Sequence, residues 1–284
     1  MSKIYIPSRN IQANFKPDYP VELDPKHPLT RNTIAYYTNA SNSGGQINLA
    51  NGSYGAYTSD VGNIIGSLGR GVSFSGGTAG INHYPAFVGA TNGTFTILAR
   101  VVSRLSGTTQ NIIDCDNYPS SPRLFQFRQA ASNAIEFITF DASAAAYTLD
   151  GGTIPLNTPV WVAASVSGTN TAVWINTAKT TGTMTSPQVS SSATTNGTTW
   201  WVGESKIYSG AQPLNGIVYE WMVFNSVPSD SEIISLQQNP YQLLRPKRKA
   251  LHLTVGSPLP PQTYNPTSSV SAGWAAILAS FKHS

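Results

Sequence analysis

Carboxylates, imidazoles, thiols and aromatic rings are the raw material of a site, and carboxylates are scarce in this chain. Hydrolysis of a glycosidic bond uses a pair of acids set across the scissile bond. The 284 residues hold 13 Asp and Glu. The apolar run Asn215–Asn225 offers Glu220 alone, flanked by Tyr219 and Trp221, and Glu136 and Glu204 are isolated in sequence. No catalytic residue is assigned on this pattern. Glu220 reads as a sheet-surface group or the partner of a base.

Metal chemistry is thinly provided for. His27, His83, His252 and His283 share no ligand spacing, and the single cysteine, Cys115, excludes an intrachain disulfide or a thiolate zinc site. Asp114-Cys115-Asp116-Asn117 places oxygen ligands at Asp114, Asp116 and Asn117, a candidate corner of a calcium site. One acidic turn falls short of the about six to eight oxygens that calcium takes, so a solvated turn is the expected reading. Gly69-x-Gly71 and Gly76-Gly77 lack the lysine and helix context of a nucleotide loop.

Recognition is better supplied. Tyr84, Trp200, Trp201 and Tyr208 are candidate stacking faces for a carbohydrate, with Asn and Thr as hydrogen-bonding groups. In a strand Trp200 and Trp201 point oppositely, so at least one of them is expected to fill the core. Arg245, Lys247, Arg248 and Lys249 put four positive charges in five positions. The remaining 13 basic residues match the 13 acidic ones, so no broad nucleic-acid footprint follows. The cluster suits an assembly contact with an acidic protein surface, and direct nucleic-acid binding is not expected.

These residues need a scaffold, and the composition points to strands. Only 11% of residues are charged, while Thr, Ser, Asn and Gly dominate the polar part. That mix suits short strands and tight turns rather than surface helices. Apolar or alternating runs occur at 33–37, 71–74, 95–102, 111–115, 124–127, 135–140, 160–166, 172–175, 200–202 and 217–224. The period of two is clean at Phe95, Ile97, Ala99 and Val101, and Leu98 on the opposite side predicts that this face is covered too. Turn residues separate the runs, which predicts an all-β sandwich.

One helix is expected. Ser229-Asp230-Ser231-Glu232 has capping-box spacing, Ile233 and Leu236 give an apolar edge, and Pro240 ends it. Prolines at 7, 17, 20, 25 and 28 make residues 1–33 an extended arm with few ladder bonds. Residues 34–244 form the sandwich and 245–284 a basic segment and tail. That tail has a strand near 250–255, a Gly/Pro/Ser spacer, and an apolar element at 274–281 in which Trp274 and Phe281 are candidate assembly contacts. Met1 to Arg9 lacks the apolar core of a signal peptide, and no stretch approaches a membrane span, so membrane insertion is not expected.

Several stretches resemble the laminin-G-like, concanavalin A-like lectin/glucanase domains of bacteriophage virion proteins. His27–Tyr36 is similar to their opening segment, Leu68–Phe74 to the strand that follows, Phe95–Val101 to the first long core strand, and Trp161–Val166 with Ala172–Asn176 to a later hairpin. The closing match joins Asn215–Asn225 to Ser229–Ile233 and to Asn239-Pro240-Tyr241-Gln242-Leu243. Together they span roughly residues 27–250. The resemblance implies a concanavalin-like jelly-roll in a non-enzymatic virion structural protein, as a head decoration or tail-associated subunit. Its partners would be other virion proteins and copies of itself, after synthesis in the host cytoplasm. A carbohydrate-binding attachment module is the alternative it leaves open, and a glycoside hydrolase a further one. Glucanases of this type carry a Glu-x-Asp-x-x-Glu strand, and here the matching strand has only Glu220.

Overall fold

Both sides of the strand Thr94–Ser103 are buried, and this sets the architecture. Phe95, Ile97, Ala99 and Val101 enter one core, while Leu98 on the opposite face enters a second. The computed structural model describes residues 3–5, 16–17, 20–38, 45–57, 61–66, 68–77, 80–83, 94–115, 124–141, 143, 145–184, 200–204, 212–247 and 250–252. They form two units. The larger, Arg9–Lys247, holds the sandwich. The smaller, Met1–Ser8 with Arg248–Ser284, contains Lys3–Tyr5 paired antiparallel with Ala250–His252.

Two eight-stranded assemblies face each other in the sandwich, antiparallel throughout. One sheet runs Ala178–Thr183, Asn170–Ile175, Val160–Ser167, Thr94–Ser103, Asn215–Phe224, Gly69–Ser75 and Val61–Gly66, with Thr33–Tyr37 also on the Asn215–Phe224 strand. The other runs Ala146–Thr153, Ala134–Phe140, Phe125–Gln129, Gln110–Cys115, Trp200–Val202, Ile81–His83, Tyr54–Tyr57 and Gly45–Ile47. Between them Phe95, Phe125, Phe137 and Trp200 meet edge-on or tilted, with centroids 4.9–6.3 Å apart for the pairs made by Phe125 or Trp200. Tyr37 lies flat on Trp221 at 4.2 Å, and the Trp221 indole N–H donates across the sandwich to Gln46 at 3.2 Å. Aromatic pairs of this kind add about 0.5–1.5 kcal/mol beyond their buried area.

A third layer covers part of the first sheet's outer face. It consists of the helix Asp230–Gln238 and the 3-10 turns Pro28–Asn32 and Pro240–Leu243. Ile233, Leu236, Tyr241, Leu243 and Leu29 pack there against Leu98, Trp161, Trp174, Met222 and Phe224. The expected capping box is present: Ser229 Oγ accepts from the Glu232 backbone, and the Glu232 carboxylate accepts from the Ser229 N–H at 2.7 Å.

Seven strands carry little of the apolar alternation that marks the others. Val21–Leu23 lies inside the proline-rich arm and pairs with Leu244–Pro246, joining the arm to the sandwich unit. Gly45–Ile47, Tyr54–Tyr57, Val61–Gly66, Ile81–His83, Ala146–Thr153 and Ala178–Thr183 sit at or toward sheet margins. Margins have one solvated face or edge, so Thr, Ser, Asn and Gly suffice there beside a few core contacts from Tyr57, Val61, Ile81, Tyr147 and Leu149.

Candidate functional site

The strand Asn215–Phe224 changes parity in its middle. Val218 faces Val101 and Glu220 faces Arg100 on the neighbouring strand, so Tyr219 is one residue extra, a β-bulge. Val218 and Trp221 thus both enter the main core, while Tyr219 and Glu220 both leave it. On its other edge this strand pairs with Gly69–Ser75 up to Val218 and with Thr33–Tyr37 from Trp221 onward. Lys16 fills the gap: its ammonium donates to the carbonyls of Tyr219, at 3.1 Å, and of Arg70.

Glu220 is held below the outer face of that sheet and is 0% exposed. Arg100 Nε donates to Oε2 at 2.7 Å and Nη2 to Oε1 at 2.8 Å, a bidentate grip. The Tyr241 hydroxyl donates to Oε1 at 2.5 Å, and Lys16 Nζ stands 3.6 Å from the same oxygen. Trp161 and Tyr219 lend ring faces to the guanidinium, at 5.1 and 5.8 Å. Burial pushes the Lys16 ammonium down to about 8, against the pull of Glu220. Burial, with the negative charge of Glu220, pushes the Tyr241 phenol up. Sequence reasoning allowed Glu220 a basic partner but named none. The signal for Arg100 was its place on the face that Leu98 already marked as covered.

The other acids stand elsewhere. Glu136 pairs with Arg128 at 2.9 Å on the outward face of the second sheet, since Ile135 and Phe137 beside it enter the core. The sandwich core therefore lies between Glu136 and Glu220. Glu204 follows the Trp200–Val202 strand and packs against Gly80, where burial raises its carboxyl. Among the described residues no group of three or more His, Cys, Asp or Glu is placed to hold a metal ion.

A groove of about 440 Å³ opens on the first sheet's outer face, beside the covering helix. Sheet register builds it in rows. Ser165, Ala172 and Thr181 stand in one row, Ser167, Asn170 and Thr183 in the next, and Ala163, Trp174 and Lys179 close the end toward the helix. The hairpins that align these strands turn at Gly168-Thr169 and Asn176-Thr177, with Gly168 at φ 58° and Asn176 at φ 51°, the left-handed values tight hairpins need. Lys179 Nζ lies 4.9 Å above the Trp174 ring and pairs with Asp230 at 2.8 Å. The Trp174 indole N–H is buried without an acceptor. The groove was missed because Ala178–Thr183 is not among the strands expected from sequence; the period of two at Lys179, Thr181 and Thr183 is the signal for it.

Several expected site residues fall differently. Trp200 is corrected from a stacking face to a core residue, 3% exposed against Phe95 and Phe125. Trp201 points to the outward face and is half-buried, its indole N–H lacking an acceptor. Asp114 is corrected from a solvated turn to a fully buried position inside the strand Gln110–Cys115, with Asn111 Nδ2 at 3.5 Å. Arg245 pairs within the chain, its Nη2 2.7 Å from Glu22, and Lys247 is exposed. Tyr84, Tyr208, Asp116, Asn117, Arg248, Lys249, Trp274 and Phe281 lie outside the described residues. Ser229 and Glu232 cap the helix as expected.

Residues 75–234 match the Laminin_G_3 family, described as the concanavalin A-like lectin/glucanases superfamily. Among solved structures the chain is similar to the binding domain of Paraclostridial Mosquitocidal Protein 1, with TM-score 0.58, 11% identity, and coverage of 73% of this chain and 52% of that one. It is also similar to Trypanosoma rangeli sialidase in complex with sialic acid, with TM-score 0.59, 15% identity, and coverage of 75% and 34%. The chain thus spans about half, or about a third, of these proteins' length. At such identities the likeness is one of fold. No curated protein matches at the level of sequence.

Proposed function

Because this chain belongs to the concanavalin A-like lectin/glucanases superfamily, we propose that it is a non-catalytic member whose sandwich is presented on a bacteriophage particle, as a head decoration or tail-associated subunit. The observation that carries the non-catalytic part is the state of Glu220. On the strand where this superfamily's glucanases place their acids, the one carboxylate is buried, gripped by Arg100 and capped by Tyr241. Glu136 stands on the far side of the core in its own pair with Arg128. A hydrolase of this type needs two acids open to one sugar bond.

The virion assignment is supported by the order of its closing segment. The Asn215–Phe224 strand is followed by the capped helix and the Pro240–Leu243 turn, which pack on its outer face, the order that the resemblance to phage virion proteins implies. Its action is passive: a rigid body multiplies modest contacts through copy number. Quantitative peptide mass spectrometry on purified particles, scaled to the major shell protein, tests it. A copy number near that of the shell protein supports head decoration, and a few copies support a tail role. Absence from clean particles overturns the reading.

A second reading, an attachment module that binds carbohydrate, is favoured by one observation, the open groove lined by Ser and Thr hydroxyls beside Trp174. Saturable binding of an oligosaccharide by the purified chain tests it, and no binding across a broad glycan panel removes it.

A further inference from the structure

We propose that the groove beside the covering helix is the carbohydrate site, and that it takes a neutral saccharide. This rests on the attachment reading and assigns it a place and a ligand class. The rows Ser165–Ala172–Thr181 and Ser167–Asn170–Thr183 run across adjacent strands, which repeat at about 4.8 Å, close to the length of one pyranose ring. Of these side chains, Ser165, Thr181 and Thr183 have no protein partner among the described residues. A hydroxyl both donates and accepts, so such rows complement sugar hydroxyls, which do the same.

Charge decides between saccharide classes. Lys179, the cation that lines the groove, is neutralised by Asp230 at 2.8 Å. Among the described residues nothing else charged lines it, so a carboxylated or sulfated sugar finds no net counter-charge. Among the described residues lining this groove, Trp174 supplies the one buried donor left without an acceptor. Lys179 lies over the Trp174 ring, and Val227 also lines the groove. The volume of about 440 Å³ falls within the range of small-ligand sites.

The test uses the full chain and titration calorimetry with maltohexaose, cellohexaose, xylohexaose, mannohexaose and chitohexaose, against sialyllactose and a heparin hexasaccharide as charged counterparts. At least one neutral hexasaccharide is expected to bind. The double variant Thr181→Val, Thr183→Val keeps β-branched residues on an exposed edge strand, and it should weaken binding about tenfold or more, as loss of two hydrogen bonds requires. Trp174→Phe keeps a ring and removes the N–H, and should weaken it several-fold, while Trp201→Phe on the other sheet should change nothing. If a neutral sugar binds but only Trp201→Phe abolishes binding, the groove is wrong and the attachment reading stands. If only the charged sugars bind, the neutral-ligand assignment is overturned. If none binds, groove and attachment reading fall together.

Discussion

Arg100 and Glu220 meet through two parallel hydrogen bonds of 2.7 and 2.8 Å in a space closed to solvent. Removing one partner of such a pair strands a buried charge, which costs about 3–5 kcal/mol, whereas replacing both costs far less. Glu220→Met strands the buried Arg100 and Lys16 charges and should therefore destabilise the fold by about 3–5 kcal/mol in urea unfolding. Combining it with Arg100→Met and Lys16→Met should recover much of that loss. Additive losses would show that the three charges do not act as a unit.

Lys16 adds a pH signature. Unfolded, it keeps its proton up to its ordinary 10.5, while in the fold burial lowers it to about 8. Between these values the unfolded chain binds more protons, so the lysine's contribution to stability rises with pH. Below about 8 both states hold the proton and the contribution is flat. The stability difference between the natural chain and Lys16→Met should grow from pH 8 toward 10. Taking that difference cancels the buried tyrosines, whose raised pKa values act in the opposite direction above 10. A flat difference would place the Lys16 ammonium in water.

Trp200 and Trp201 should separate cleanly by mutation. Trp200→Ala opens a cavity among Phe95 and Phe125 and should cost about 3–5 kcal/mol. Trp201→Ala removes a half-buried ring from the outer face and should cost about 1–2 kcal/mol. Equal losses would contradict the assigned faces.

Gly203 holds φ at 79°, and a Cβ there would come within 2.3 Å of the Phe74 ring, inside the core. Gly203→Ala combines a left-handed backbone penalty with overpacking and should cost about 3 kcal/mol. Thermal unfolding of this single variant is enough to check it.

The core half of the fold was legible because it obeys simple periods. Phe95 to Val101 alternates, and Ser229 to Glu232 spells its own cap. Leu98, in a polar phase, marks its face as covered, and the helix and turns that cover it pack there. The marginal strands were less legible, since Ala146–Thr153 and Ala178–Thr183 alternate mostly with Thr, Gly and Lys, and only Tyr147 and Leu149 add an apolar phase. The sites suffered for the same reason. Trp200 and Trp201 are one residue type, and only register tells which faces the core. The partners of Glu220 stand 120 positions away in Arg100 and 21 in Tyr241, distances over which a sequence carries no local signal.

The extra residue at Tyr219 makes the middle of the Asn215–Phe224 strand a point where the sheet can lose a residue without losing its register. Upstream of it, even-numbered side chains serve the main core; downstream, odd-numbered ones do. Deleting Tyr219 would close the bulge into a regular ladder, with Val218, Glu220 and Trp221 still opposite Val101, Arg100 and Ala99. A deletion inside the regular strand Val160–Ser167 has no such outlet and would turn the rest of that strand over, sending its core side chains to the other face. In a library of length variants, one-residue deletions should therefore survive at the bulge and be lost from Val160–Ser167.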